Sequence, residues 1–167
     1  MKKFLLFALL FTVLAGSANA QEKQRKSPHD TVSTANITVT YGRPYKKDRV
    51  VFGGLEKYDK VWRTGADEAT EITFKKAGTF AGKPVKAGTY TLFTIPSESN
   101  EWTVILNSSS KQWGAYEYEN IKGKDVLNAK VAAKKTDKVV EQLTITPTDK
   151  AVTIAWDQTE VSIPVKF

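Results

Sequence analysis

The sequence predicts an all-β domain, an antiparallel β-sandwich of jelly-roll-like form, as a single domain after a signal peptide. Three observations carry this expectation. Apolar and polar residues alternate in short runs from residue 36 onward, Gly, Pro, Asn and Asp separate those runs at close intervals, and no segment after the leader competes convincingly as a helix. A short strand buries one face at most, so many of them joined by frequent turns must pack as a sandwich or close into a barrel.

Residues 1–20, MKKFLLFALLFTVLAGSANA, place Lys2 and Lys3 before an apolar run from Phe4 to Leu14 and end on Ala18-Asn19-Ala20. That is the pattern of a secretory signal peptide cut before Gln21. The run is too short to cross a bilayer comfortably, and no cysteine follows it to accept a lipid. A periplasmic or secreted chain with no membrane span after leader removal is therefore expected. The 147 residues that remain suit one domain able to bury roughly 70% of its unfolded surface.

Residues 21–33, QEKQRKSPHDTVS, are polar and aperiodic and contain Pro28, so they read as a mobile or edge-lying lead-in with His29 exposed. The all-β domain is expected over 34–167. Its first strand alternates Ile37, Val39 and Tyr41 with polar neighbours and stops at Gly42-Arg43-Pro44. Further strands are expected at 70–74, 90–95, 102–106, 127–131, 143–145, 152–156 and 161–165, where β-branched and aromatic residues concentrate. Turn chemistry intervenes at Gly53-Gly54, Gly78, Gly82-Lys83-Pro84, Gly88, Pro96, Gly123 and Pro147. KAGTF at 76–80 returns as KAGTY at 86–90, which reads as reuse of one turn-and-strand start rather than a repeat architecture. The alternation of Val161, Ile163, Val165 and Phe167 resembles the end of an outer-membrane barrel, yet most runs are too short and Pro164 interrupts this one.

Composition removes whole classes of chemistry. Without cysteine there are no disulfides, thiolate metal sites or cysteine nucleophiles, and one histidine leaves neither a Ser-His-acid triad in the fold nor a zinc site. No cofactor is expected. The formal charge of +7 falls to +5 with the leader, and the lysine pairs are dispersed among acids, so nucleic acid is not an expected partner.

The arginines are distributed differently. The chain has four, against 19 lysines after the leader, and Arg43, Arg49 and Arg63 fall within 21 residues. Arginine's planar fork suits bidentate carboxylate contacts and stacking on aromatics such as Trp62, whereas lysine supplies generic charge. Asp67 and Glu68 follow Arg63 closely, and two readings stay open. Either Arg63 bridges internally to Asp67 or Glu68 and pins a loop to the sheet, or the cluster meets a ligand carboxylate or sugar. Gly65 is expected to allow a positive backbone angle or a close approach there. Trp113-Gly114-Ala115-Tyr116 with Tyr118 forms a second aromatic group, either covering the core or lining a surface site.

Carboxylate-dependent hydrolysis of envelope glycans or peptides survives this census, with Glu68 as acid or base. Asp67 and Glu68 are neighbours, however, so a strand starting there would send them to opposite faces. The favoured expectation is a non-catalytic protein that binds a small ligand or an envelope partner through Arg43, Arg49, Trp62, Arg63, Asp67, Glu68, Trp113 and Tyr116. A purely structural envelope protein is the third reading.

The strings YGRP at 41–44, VFGGL at 51–55, KVWRTGADEAT at 60–70, AGTYTLFTIP at 87–96, WTVILN at 102–107 and QWGAY at 112–116 resemble the bacterial exported family catalogued as domain of unknown function 2911. The resemblance runs from about Ser27 to Phe167. Members often carry Ser where this chain has Gly42, Asn where it has Asp67, and a Val-Pro-Tyr-Gly-like turn at 56–59. The resemblance implies an exported all-β domain and transfers no mechanism.

Overall fold

A computed structural model describes residues 24–167; the leader, residues 1–20, lies outside the described residues. The chain is nearly all β. Nine strands form one antiparallel sheet: β1 His29–Ser33, β2 Ile37–Gly42, β3 Glu71–Phe74, β4 Gly78–Phe80, β5 Lys83–Val85, β6 Gly88–Ile95, β7 Glu101–Asn107, β8 Asp125–Pro147 and β9 Ala151–Lys166. Their order is β1-β2-β3-β6-β7-β8-β9-β4-β5, so the chain meanders except that the β4-β5 hairpin attaches beyond β9. Among the described residues no helix is long and apolar enough to cross a membrane.

The sheet folds over on itself through its two longest strands. β8 pairs with β7 over residues 125–132 and with β9 over 133–147, with register shifts between Lys135 and Thr144. Bulges raise local twist and bend a strand, which lets one strand serve both layers. The closure is visible where Ile145 N on β8 donates to the Tyr41 hydroxyl of β2 at 2.9 Å, although those strands are not sheet neighbours. Residues 127–131 and 143–145, which read as separate strands, thus belong to one. The polar stretch between them carries no alternation because it is largely exposed where it passes from one layer to the other.

The core fills the space between the layers. Ile37 and Val39 of β2, Ile72 and Phe74 of β3, Val104 and Leu106 of β7 and Ile154 of β9 are essentially inaccessible to water. Each such side chain contributes about 1.5–3 kcal/mol of transfer free energy. At one end Trp62, Trp102 and Trp156 gather around Phe52, with Trp62 and Trp156 stacked at 5.9 Å and 19°.

β7 is buried on both faces because a second apolar cluster covers its outer side. Phe93, Ile105, Ala69 and Tyr118 form it, and Tyr118 lies on a single helical turn, α1 Tyr118–Ile121. This turn is a departure from the helix-free expectation; four residues are too few to leave a helical period in the sequence. The Tyr118 hydroxyl donates to Asp125 Oδ2 at 2.7 Å, so Tyr118 belongs to the core and not to a surface site.

Arg43 is structural. Its Nε donates to the Leu143 carbonyl at 3.1 Å, Nη1 to Asp30 Oδ2 at 3.1 Å and Nη2 to Thr144 Oγ1 at 3.2 Å, tying β1 and the end of β2 to β8. Arg43→Ala is expected to cost about 1–3 kcal/mol by leaving those acceptors unpaired. Thermal melting should register this as a drop of several degrees; an unchanged midpoint would show that the clamp is replaced by water at no cost.

Candidate functional site

The aromatic end of the sandwich carries a cavity of about 580 Å³. Residues 44–56, residues 63–67, Trp113 with Tyr116, and the strap 24–28 enclose it, and Trp156 reaches it from the core side. The volume is within the usual range for small-ligand sites.

The segment that carries Arg63 is held rigidly. Thr64 and Asp67 have positive φ, 55° and 62°, so the loop turns at these two residues and not at Gly65. Gly65 instead permits close approach: a Cβ there would lie 2.9 Å from Thr70 Oγ1. At Gly42 a Cβ would lie 2.1 Å from the Ala66 carbonyl oxygen, so the loop is pressed onto the end of β2. Thr64, fully buried, shares a hydroxyl hydrogen bond with Thr94 at 3.0 Å, and Trp62 Nε1 donates to the Gly65 carbonyl at 3.2 Å. Asp tolerates the left-handed region better than most residues, which suits position 67.

The expected bridge from Arg63 to a neighbouring carboxylate is absent. Arg63 Nη1 donates to the main-chain carbonyl of Asp67 at 3.2 Å, and its guanidinium carbon lies 5.8 Å from the centre of the Tyr116 ring. The Asp67 carboxylate is taken by the strap, accepting from Lys26 N at 3.0 Å and Ser27 N at 2.9 Å. Glu68 turns away into a separate cleft, where Arg25 Nε donates to both of its oxygens at 2.8 and 2.9 Å. His29, expected to be exposed, sits beside it with 17% of its side chain accessible. Its Nε2 is 3.1 Å from Glu68 Oε2, an ion-pair distance without hydrogen-bond geometry. The left-handed turn at Asp67, φ 62°, lies between the two carboxylates and sends them apart.

Arg49 is fixed like Arg63, by carbonyls. Nε donates to the Lys46 carbonyl at 2.9 Å and Nη2 to that of Tyr45. Among the described residues neither guanidinium forms an ion pair with a carboxylate. Among the described residues the cavity is lined by Lys26, Lys47, Arg49 and Arg63 against Glu56 and Asp67.

Glu56 is the residue that sequence reasoning missed. Burial pushes its carboxyl up to about 7, against the opposing pull of Arg63 and Arg49. No side chain among the described residues closes a hydrogen bond or ion pair on it. Glu56, Arg63 and Tyr116 also border a smaller chamber of about 200 Å³ that continues to Val61, Trp62 and Ala115. Nothing in the run Leu55-Glu56-Lys57 marks the position. The strap was equally unmarked as a cavity wall, although Arg25, the one arginine outside the 43–63 group, was a usable signal.

Of the residues singled out from sequence, the fold brings Arg49, Arg63, Asp67, Trp113 and Tyr116 to this cavity, and Trp62 to its side chamber. Arg43 faces a different depression beside Asp30 and Thr144, and Glu68 the cleft with Arg25. Among the described residues no group of three or more His, Asp or Glu side chains is placed to hold a metal ion.

No curated protein and no solved structure matches the chain. The model of one family, described as protein of unknown function (DUF2911), matches residues 23–165. With nearly the whole of the all-β domain inside that match, the chain belongs to the DUF2911 family.

Proposed function

We propose that this is an exported, non-catalytic binding protein whose cavity takes a small ligand through its carboxylate. One observation carries the reading: Arg49 and Arg63 are oriented by neutral carbonyls and, among the described residues, both reach the cavity lining without an ion-pair partner. Arg25 and Arg43, by contrast, each pair with a carboxylate. An arginine held by carbonyls keeps donors and charge for an incoming anion. Export is supported by the leader-like residues 1–20.

The test is a thermal-shift panel of acetate, succinate, gluconate and glucuronate against matched alcohols and amines. A binder gains stability as RT ln(1 + [L]/Kd), so carboxylates should raise the melting temperature and the controls should not. Uniform silence across the carboxylates would leave the purely structural reading in its place.

Glu56 gives binding a pH dependence of fixed sign. Below its folded value of about 7 the carboxyl is neutral; above it, a second negative charge faces the incoming anion. Affinity for carboxylates is expected to fall as pH rises through about 7, and Glu56→Gln to remove that fall. Stability without ligand follows the same group. Its ordinary value is 4.5, so between 4.5 and about 7 the folded state holds a proton that the unfolded state has released. Its contribution must therefore decline with rising pH over that window and level off above it. Subtracting the melting curves of Glu56→Gln from those of the natural protein isolates this slope.

A carboxyl near 7 is also poised for general acid-base work, which favours a hydrolase acting on envelope glycans or peptides as the second reading, with Glu56 in the role the sequence offered to Glu68. Turnover of a glycan or peptide substrate that disappears in Glu56→Gln would select it.

A further inference from the structure

Exposed apolar side chains are not spread evenly over this protein. Among the described residues the large ones are Tyr45, Val50, Leu55, Tyr116, Val126 and Val139, with Val50 69% and Tyr116 74% accessible. Tyr45, Leu55 and Tyr116 line the cationic cavity. Val50 is tied to Leu55 through the main chain, Leu55 N donating to its carbonyl at 3.0 Å, but does not itself line the cavity. Three of these six therefore gather on one mouth, while Val126 and Val139 lie apart on β8. Single exposed apolar residues are ordinary; a group of them around one charged opening is what ligand sites show.

The rim is preformed. Glu56 N donates to the Val51 carbonyl at 2.8 Å and Gly53 N to that of Glu56 at 2.8 Å, closing the 50–56 loop into a compact turn. Phe52 roots this turn in the core against Trp102, 4.7 Å between ring centres. Val50 and Leu55 thus stay in water in the absence of a ligand because the turn holds them there. Arg49 immediately precedes this loop, between Tyr45 and Leu55 in the chain, so charge and apolar surface are presented together.

A sugar acid would need donors and acceptors along the rim to replace the water around its hydroxyls. Leu55 offers none, and Tyr45 and Tyr116 offer one hydroxyl each, too few for a polyhydroxylated body. We propose that the ligand is a carboxylate carried on an apolar body, the carboxylate entering between the charges of Arg49 and Arg63 and the body covering Tyr45, Leu55 and Tyr116. This rests on the carboxylate-binding reading and narrows it to one ligand class. Such a carboxylate has two sources, an aliphatic acid or the C-terminus of a peptide ending in an apolar residue.

The experiment measures affinity at pH 6 for acetate, butanoate, hexanoate, octanoate and gluconate, with octanol and octylamine as controls. An N-acetylated tripeptide ending in leucine is added both as free acid and as amide. Affinity is expected to rise about two- to fourfold per methylene along the acids until the rim is covered. The slope should flatten in Leu55→Ser, a change at an exposed lining position that spares the core. Octanoate alone or the free-acid peptide alone would identify the source, and either supports the inference. Equal binding of gluconate, acetate and octanoate would overturn it while leaving carboxylate binding standing. Silence from every carboxylate, or octanol binding as tightly as octanoate, would remove the carboxylate reading itself.

Discussion

Replacing Arg63 with glutamine is expected to weaken binding of a small carboxylate about 10- to 100-fold, the equivalent of one or two charge-assisted hydrogen bonds. The melting temperature should move by only a few degrees, because the side chain's described contacts are one main-chain carbonyl and the face of Tyr116. Arg63→Lys separates charge from geometry. Lysine keeps the charge and loses the planar fork, so binding should fall by an intermediate amount. Isothermal titration with the best carboxylate of the panel, run on all three proteins, checks the order. Were the glutamine variant to bind like the natural protein, the cavity's positive potential would have to come from Arg49, Lys26 and Lys47 alone, and the assignment of Arg63 would fall.

Trp156→Ala is expected to have the largest effect on folding. The indole is 1% exposed, stacks on Trp62 at 5.9 Å and meets Phe52 edge-on at 6.2 Å. It also lines the cavity, so truncation opens the core directly into it. Removing a buried tryptophan side chain costs about 3–5 kcal/mol, which for a domain of this size is roughly 10 °C in melting temperature. Trp156→Phe should recover most of that loss by filling the space, and differential scanning calorimetry of the pair is the measurement. A small loss in the alanine variant would mean that the neighbouring rings collapse into the gap, and the cavity's boundary would then be softer than described.

Both outcomes depend on features with very different visibility in the chain. The period-two alternation at 37–41, 102–106 and 161–165 was legible because each strand buries one set of side chains against a single core. The 132–142 stretch was silent for the opposite reason. There β8 leaves one layer for the other and is exposed, so no burial pattern is imposed on its residues. β1 was hidden in a polar lead-in because an edge strand is held by main-chain pairing with β2, and main-chain hydrogen bonds leave little trace in side-chain composition.

The site was legible only as a bias in residue choice. Arginine concentrated near Trp62 pointed to fixed geometry, and the fold uses all four arginines in that way. What the bias could not convey was the partner: Arg25 takes Glu68, Arg43 takes Asp30, and Arg63 and Arg49 take carbonyls. Asp67 and Glu68 looked like the acids for Arg63 because they are close in sequence, yet backbone direction sends their oxygens to the strap and to the side cleft.

The sequence by itself determined an all-β chain, the absence of thiol and multi-histidine chemistry, and the segment in which rigid cations would be found, since periodicity and composition act residue by residue. Only the tertiary structure decided which cations lack an ion-pair partner among the described residues, that Glu56 faces them, and that the strap 24–28 completes the wall. Charge pairing and burial arise between segments dozens of residues apart, and no local pattern encodes which of several acids an arginine will meet once the sheet has folded over.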